Sequence, residues 1–202
     1  MRPTGAFVVL MITMLALPSA GQQPGGQRGG APAVAPMTLT VAGFPDGADI
    51  PVKFTQAAPG VATGERLSPA INWANPPAGT QSFFLNMHDE DVARNKTTDD
   101  QAHWVVWNLP ASATGLPEGV PKGPKLANGA FQISATGQMY RGPGAAANGP
   151  KHHYMFEIYA LDAMINVQPS ADAFETRANV MKAIQGHVLG KAVYGGLFKR
   201  PQ

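Results

Sequence analysis

Short runs rich in Val, Ile, Phe, Trp and Thr recur along this chain, and clusters of Gly and Pro separate them. This spacing predicts an antiparallel, mainly β domain rather than alternating β and α units. Two of the runs, FFLNM and WVVW, are apolar on both faces, so we expect them to form central strands. The runs are MTLTVAG, PVKFTQ, AINWAN, QSFFLNMHD, HWVVWNLP, YMFEIYALD and AVYGGLFK.

One segment, PSADAFETRANVMKAIQGHVLG, departs from this pattern and predicts a single amphipathic helix near the C-terminus. Asp172 and Glu175 form an N-terminal capping signature, and Gly186 or Gly190 can end the helix. The apolar residues that recur at intervals of three or four are Phe174, Ala178, Met181, Ile184 and Val188.

Residues 1–20, MRPTGAFVVLMITMLALPSA, combine one arginine, an apolar run and a small-residue end, as secretory signal peptides do. The apolar run is shorter than the roughly 20 residues of a transmembrane span, so we predict no transmembrane segment. Residues 21–36 are mostly Gly, Pro, Gln and Ala, which is typical of a flexible linker. We therefore expect a periplasmic or secreted protein with one folded domain over residues 37–202.

The charge of the predicted domain argues against nucleic-acid binding. Arg2 and Arg28 lie outside it, so residues 37–202 hold 13 basic and 13 acidic residues. Without a basic stripe, a chain has no electrostatic footprint for nucleic acid. The chain also has no cysteine, so its stability must come from its core rather than from disulfides.

The densest polar cluster spans residues 87–110 and joins two of the predicted strands. If these strands pair as a hairpin, Asp89 and His103 lie near one rim of the sheet. A carboxylate beside an imidazole can hold the ring in one tautomer or keep it cationic, and either state suits anion binding or proton transfer. From composition alone, His103 fits a buried structural role equally well.

Other polar residues favour structural interpretations. Asp99 and Asp100 are typical of a solvated turn, His88 of a surface position at a strand end, and His187 of a helix end. The sequence has no HExxH motif, no His-x-His and no glycine-centred calcium loop, so we expect no metal. It also lacks G-x-S-x-G and cysteine nucleophiles, which argues against a catalytic role.

Four motifs occur in one order between residue 37 and the C-terminus. Their order and spacing resemble the phosphatidylethanolamine-binding protein family, also called Raf kinase inhibitor proteins, and in particular its bacterial branch. The motifs are LSPAINWANPPAGTQSFFLNMHDED, HWVVWNLPASATGLPEG, YRGPGAAANGPKHHYMFEIYALD and IQGHVLGKAVYGGLF.

The resemblance implies a large antiparallel sheet packed on a smaller one, a C-terminal helical element, and a small pocket at one end of the sheet. The family's pocket accepts phosphate, phosphorylethanolamine or acetate, and no cofactor is implied. Asp89 and Asp91 match the aspartates of the family's D-P-D-A-P motif, and His103 matches the histidine that follows it. Gly142 and Gly144 match the family's G-x-G-P loop, and His152 and Tyr154 match its H-R-Y motif. Both prolines of D-P-D-A-P are absent here, which alters the expected pocket wall.

Alternation places His152 and Tyr154 on one face of their strand and His153 on the other. With the resemblance, the first two face the pocket. The tyrosine hydroxyl, both imidazoles and glycine N–H groups are then expected to donate to an anion, while Asp89 accepts a proton from His103. Cationic imidazoles would make anion binding weaken as pH rises through the histidine range.

The sequence therefore predicts an exported, non-enzymatic protein that binds phosphate or a phosphorylated headgroup. Two alternatives stay open. One is an inhibitor of a kinase or protease, by analogy with eukaryotic members of the family, with an unknown protein target. The other is an enzyme that uses His103, Asp89 and Tyr154 as acid and base on a phosphorylated small molecule.

The signal-peptide prediction can be tested on the exported protein. If cleavage follows the small residues Ser19 and Ala20, the mature chain begins at about Gly21 or Gln22. N-terminal sequencing of protein from the periplasm or medium checks this. Recovery of soluble cytosolic protein with an intact Met1 would contradict it.

Overall fold

Two antiparallel sheets form the framework of residues 35–60 and 67–202, which the structure, a computed structural model, describes. The strands are β1 (Thr38–Val41), β2 (Ile71–Ala74), β3 (Ser82–Asp89), β4 (Gln101–Pro110), β5 (Gly115–Leu116), β6 (Phe131–Ile133), β7 (His152–Leu161) and β8 (Val188–Phe198). A helix, α1, spans Ala173–Ala183. The smaller sheet has the order β1-β2-β5 and the larger β6-β4-β3-β7-β8, which confirms the predicted mainly β fold.

The central strands β3 and β4 are buried along both faces, as their apolar runs predict. On one face, Leu85 and Trp104 belong to a core that includes Trp73 of the smaller sheet. On the other, Phe84 and Trp107 belong to a second core that includes side chains of α1. The larger sheet therefore separates two apolar layers, and any polar side chain on β3 or β4 must find its partners inside the protein.

Helix α1 begins where the capping signature predicts, and its most buried face agrees only in part with the predicted apolar pattern. The Asp172 carboxylate accepts hydrogen bonds from the main-chain N–H groups of Phe174 and Glu175. Small residues let the helix lie close to the sheet, whereas Phe174 and Met181 are only partly buried and Val188 belongs to β8. The buried residues are Ala173, Thr176 and Val180 of the helix and Ile184 at its C-cap, and of these the apolar pattern predicted Ile184.

Two other details of the chain differ from expectation. The run PVKFTQ is not a strand, because Pro51 starts a 3-10 turn over Val52–Phe54 whose N–H groups bond locally. The short strands β5 and β6 were not predicted, since a few residues carry little periodicity.

In the part of the chain that the structure describes, we find no helical segment with the length and hydrophobicity of a transmembrane span. The predicted signal peptide, and the predicted linker up to residue 34, lie outside the described residues.

A polar network lies on the face of the larger sheet that α1 covers, and two of its residues differ from expectation. His88 is not a surface residue, since it is only 5% exposed. Its Nδ1 lies 2.5 Å from Asp100 Oδ2, and its Nε2 lies 3.5 Å from Glu157 Oε2. Asp100 also pairs with Arg177 of α1, so it is a partly buried ion-pair partner rather than a solvated turn residue. The network ties the segment before β4 and the helix to the sheet.

This network makes stability depend on pH. Burial alone would lower the pKa of His88, but its hydrogen bond to Asp100 and the nearby carboxylate of Glu157 outweigh burial and raise the pKa to about 9. A folded pKa above the unfolded value stabilises the fold fully below about pH 6.5, and that contribution is lost as pH rises through about 9. We expect the free energy of unfolding to fall by on the order of 3 kcal/mol across this range.

Urea unfolding at several pH values measures this fall. The variant His88→Gln keeps a polar side chain of similar size but cannot be protonated, so it should lose most of the dependence between pH 6.5 and 9. The same fall in His88→Gln as in the wild type would assign the effect to other groups.

Candidate anion-binding site

Strand pairing brings the ends of three strands together at one end of the larger sheet. Asp89, the last residue of β3, pairs with Tyr154 of β7 and with Gln101 of β4. These strands and the loop between Tyr140 and β7 surround a cavity of about 230 Å³. Of the residues predicted for the pocket, its lining includes Asp89, His103, Gly144, His152 and Tyr154, whereas Asp91 and Gly142 lie beside it.

Tyr154 holds the loop that closes the cavity. Its hydroxyl oxygen accepts hydrogen bonds from the main-chain N–H groups of Gly144 and Ala145, each at 3.1 Å. Burial and the nearby charge of Asp89 raise the pKa of Tyr154, so it stays protonated. The N–H of Gly144 is thus committed to Tyr154, which corrects the expectation that it donates to a ligand.

Asp89 is paired with His152 and not, as expected, with His103. Nδ1 of His152 lies 2.8 Å and 3.1 Å from the two carboxylate oxygens of Asp89, so the ring donates there. Asp89 also accepts from the main-chain N–H of Asp91 at 3.1 Å. The expected pairing fails because His103 already has a main-chain partner.

That partner of His103 is the main chain of Arg141. His103 Nδ1 donates to the Arg141 carbonyl oxygen at 2.9 Å, and the Arg141 N–H donates to the His103 carbonyl oxygen at 3.0 Å. Burial is the main cause that lowers the pKa of His103 to about 4, and the Arg141 charge adds to it. His103 is therefore neutral near pH 7, so an expected source of positive charge in the pocket is absent.

Asp91 lies at the outer rim with His153. Its carboxylate accepts from the His153 main-chain N–H at 2.6 Å and from the ring Nδ1 at 3.0 Å. Partial burial opposes ionisation, but these hydrogen bonds outweigh it and lower the pKa of Asp91. The side chain of His153 is exposed, in agreement with the predicted alternation along β7.

Two glycines let the loop approach the turn after Phe54. A Cβ on Gly142 would lie 2.6 Å from the Phe54 carbonyl oxygen, and one on Gly144 would lie 2.5 Å from the Gln56 amide. At Gly142 the contact is with main chain, so only a residue without a Cβ fits, whereas a Cβ at Gly144 would require the Gln56 side chain to move. Both glycines therefore bring the loop close to this turn, and the N–H of Gly144, although the residue lines the cavity, is bonded to Tyr154.

Three residues of this region were missed by sequence reasoning. Arg141 lines the cavity, and its Nε is buried without a hydrogen-bond partner among the described residues. Gln56 also lines it, donates to the Gly142 carbonyl oxygen at 2.8 Å and accepts from Arg200 at 3.2 Å. The Arg200 N–H in turn donates to the Ala145 carbonyl oxygen. Arg141 could have been noticed as the only cation inside the motif YRGPG.

Two groups of side chains bring acidic and histidine ligand atoms within 4.8 Å of one another, namely Asp89 with Asp91 and His152, and His88 with Glu90 and Asp100. In each group the histidine Nδ1 already lies at hydrogen-bonding distance from a carboxylate. A metal would have to displace that hydrogen, so we assign neither group as a metal site.

Comparisons with known proteins agree with this fold. A family model described as phosphatidylethanolamine-binding protein matches residues 40–199. The chain is 34% identical over 166 residues to a UPF0098 protein from Methanothermobacter thermautotrophicus, covering 81% of this chain and 99% of the relative. It is 32% identical over 159 residues to a UPF0098 protein from Aquifex aeolicus, covering 78% and 85%.

Two solved structures are similar. The phosphatidylethanolamine-binding protein homologue CT736 from Chlamydia trachomatis superposes with a TM-score of 0.64 at 25% identity, covering 82% of this chain and 98% of CT736. YbcL from E. coli gives a TM-score of 0.63 at 22% identity, covering 82% and 99%, and at that identity the likeness is one of fold alone.

The role of Tyr154 as a scaffold can be tested. Tyr154→Phe removes the acceptor of two N–H groups, so we expect a loss of about 1–3 kcal/mol in the free energy of unfolding. Amide hydrogen exchange at Gly144 and Ala145 should become faster. Tyr194→Phe is the control, because its hydroxyl donates to the Phe44 carbonyl oxygen instead. Unchanged exchange at both amides in Tyr154→Phe would contradict the assignment.

Proposed function

Since this chain belongs to the phosphatidylethanolamine-binding protein family, we propose that it is an exported, non-enzymatic protein that binds a small oxyanion. Phosphate or the phosphate of a lipid headgroup fits this description. The observation that carries the proposal is Arg141, which lines the cavity and whose buried Nε has no hydrogen-bond partner among the described residues. A buried donor without a partner is costly, and an oxyanion supplies one.

Charge around Arg141 supports the same conclusion. Burial, more than any other cause, lowers the pKa of Arg141, and Arg200 contributes, but a guanidinium keeps its proton at physiological pH. The charge of Asp89 favours the Arg141 cation, but this carboxylate already accepts hydrogen bonds from His152 and the Asp91 N–H. The guanidinium therefore remains free to bind an anion from solution.

The size of the cavity limits the ligand. Its volume of about 230 Å³ is below the 300–1,000 Å³ typical of sites that enclose drug-sized molecules. A phosphate or a phosphorylated headgroup fits within it, whereas the acyl chains of a phospholipid would have to remain outside. We therefore favour a headgroup or free phosphate over a whole lipid.

The geometry favours binding over catalysis. Tyr154 is a weak acid whose oxygen already accepts two hydrogen bonds, and Asp89 is held by His152. A general acid or base needs a proton that it can give or take at working pH, and a hydrolase needs a nucleophile or metal for the harder step. The residues that line the cavity supply a binding surface without that machinery.

Titration calorimetry with inorganic phosphate at pH 7 tests the proposal. Arg141→Gln keeps a polar side chain but removes the charge, so phosphate affinity should fall at least about tenfold. His153→Ala is the matched control, because its ring is exposed and faces away from the cavity. The absence of measurable phosphate binding by the wild type, or equal effects of the two substitutions, would overturn the proposal.

A further inference from the structure

We propose that the cavity selects oxyanions that carry a hydrogen, such as the monoanion of phosphate or of a phosphomonoester, over fully deprotonated oxyanions of the same size. This inference rests on the proposed function, namely that an oxyanion binds beside Arg141. It comes from the hydrogen bonds of His103, which decide whether that ring gives or accepts a hydrogen in the cavity.

The main-chain partner of His103 fixes the orientation of its ring. A carbonyl oxygen can only accept, so the 2.9 Å contact with Arg141 places the ring hydrogen on Nδ1. The reciprocal bond from the Arg141 N–H to the His103 carbonyl oxygen joins the same two residues a second time. In a neutral ring, Nε2 then carries a lone pair and acts as an acceptor.

The surroundings of His103 disfavour the doubly protonated, cationic form of its ring. The residue is 2% exposed, so the charged ring would have to be desolvated. The titratable and charged groups near it are Asp89 from β3, Arg141 from the loop, and Tyr154 and His152 from β7. Arg141 opposes a second cation, Tyr154 is neutral, and Asp89, which favours protonation, is already bonded to His152. The low pKa of His103, about 4, agrees with this arrangement.

Arg141 and His103 together require a ligand that has both anionic oxygens and a hydrogen. Arg141 donates hydrogens and requires anionic oxygens, while Nε2 of His103 requires a hydrogen from the ligand. Hydrogenphosphate offers both on one tetrahedral group. Sulfate has the same shape and size but carries no hydrogen at neutral pH, so one of its oxygens would face the His103 lone pair. Leaving a buried acceptor against another acceptor is strongly unfavourable.

Comparing phosphate with sulfate by titration calorimetry at pH 7 tests this selection. We expect wild-type protein to bind phosphate at least about tenfold more tightly than sulfate. His103→Ala removes the lone pair, so the ratio of the two affinities should fall toward one. Lys151→Ala is the control, because Lys151 pairs with Asp49 on the surface, and its ratio should match that of the wild type.

A second measurement needs no variant. The second ionisation of a phosphomonoester lies near pH 6, so if only the monoanion binds, affinity for phosphorylethanolamine should fall about tenfold per pH unit above it. Sulfate affinity should not follow that slope. This series decides the question even if His103→Ala fails to fold.

The possible outcomes distinguish failure of oxyanion binding from failure of the selection for a hydrogen. If the wild type binds neither anion, the proposed function is wrong. If it binds both with equal affinity, and sulfate binding takes up a proton from the buffer, His103 acts as a cationic donor. That result overturns the selection for a hydrogen but leaves oxyanion binding intact. Preference for phosphate that persists unchanged in His103→Ala would also contradict the inference, because another group would then be responsible.

Discussion

The register between β3 and β7 is the constraint on which the site depends. Asp89 pairs with Tyr154 and His88 with Met155, so neighbouring residues of β3 point to opposite sides of the sheet. A slip of one residue would turn Asp89 toward the face that α1 covers and His88 toward the cavity. Burial of β3 on both faces prevents this, since Leu85 fits the core toward the smaller sheet and Phe84 fits the core under the helix.

Once the register is set, the protein's own hydrogen bonds decide what remains for a ligand. The Tyr154 hydroxyl accepts a hydrogen bond from the Gly144 N–H, and Asp89 accepts one from Nδ1 of His152. The Arg141 carbonyl oxygen accepts one from Nδ1 of His103. The residue types alone suggest a pocket full of donors. In the proposed site, the bonds between them leave the Arg141 guanidinium as a donor and the second nitrogen of His103 as an acceptor, so internal bonding would determine the chemistry of the cavity.

The sequence predicted the long apolar strands, the helix cap and the alternation along β7, because each is a local pattern with a strong period. It could not predict which partners the polar residues meet. His88 looked exposed since it ends an apolar run, yet Asp100 and Arg177 reach it from separate elements. The motif resemblance placed Asp89 and His103 together, but only the fold shows that the Arg141 main chain, 38 residues along the chain, meets His103. Arg141 was missed because its loop was interpreted through its glycines.

The contacts of Arg200 bear on when the cavity is completed during synthesis. Arg200 reaches back to Gln56 and to the carbonyl oxygen of Ala145, so residues from distant parts of the chain meet at one wall. A ribosome delivers a chain from its N-terminus, and Gln56 emerges long before Arg200. The larger sheet also lacks its edge strand β8 (Val188–Phe198) until the same late stage. The edge of the sheet and the wall of the cavity are therefore completed together, only after β8 and the residues after it have emerged.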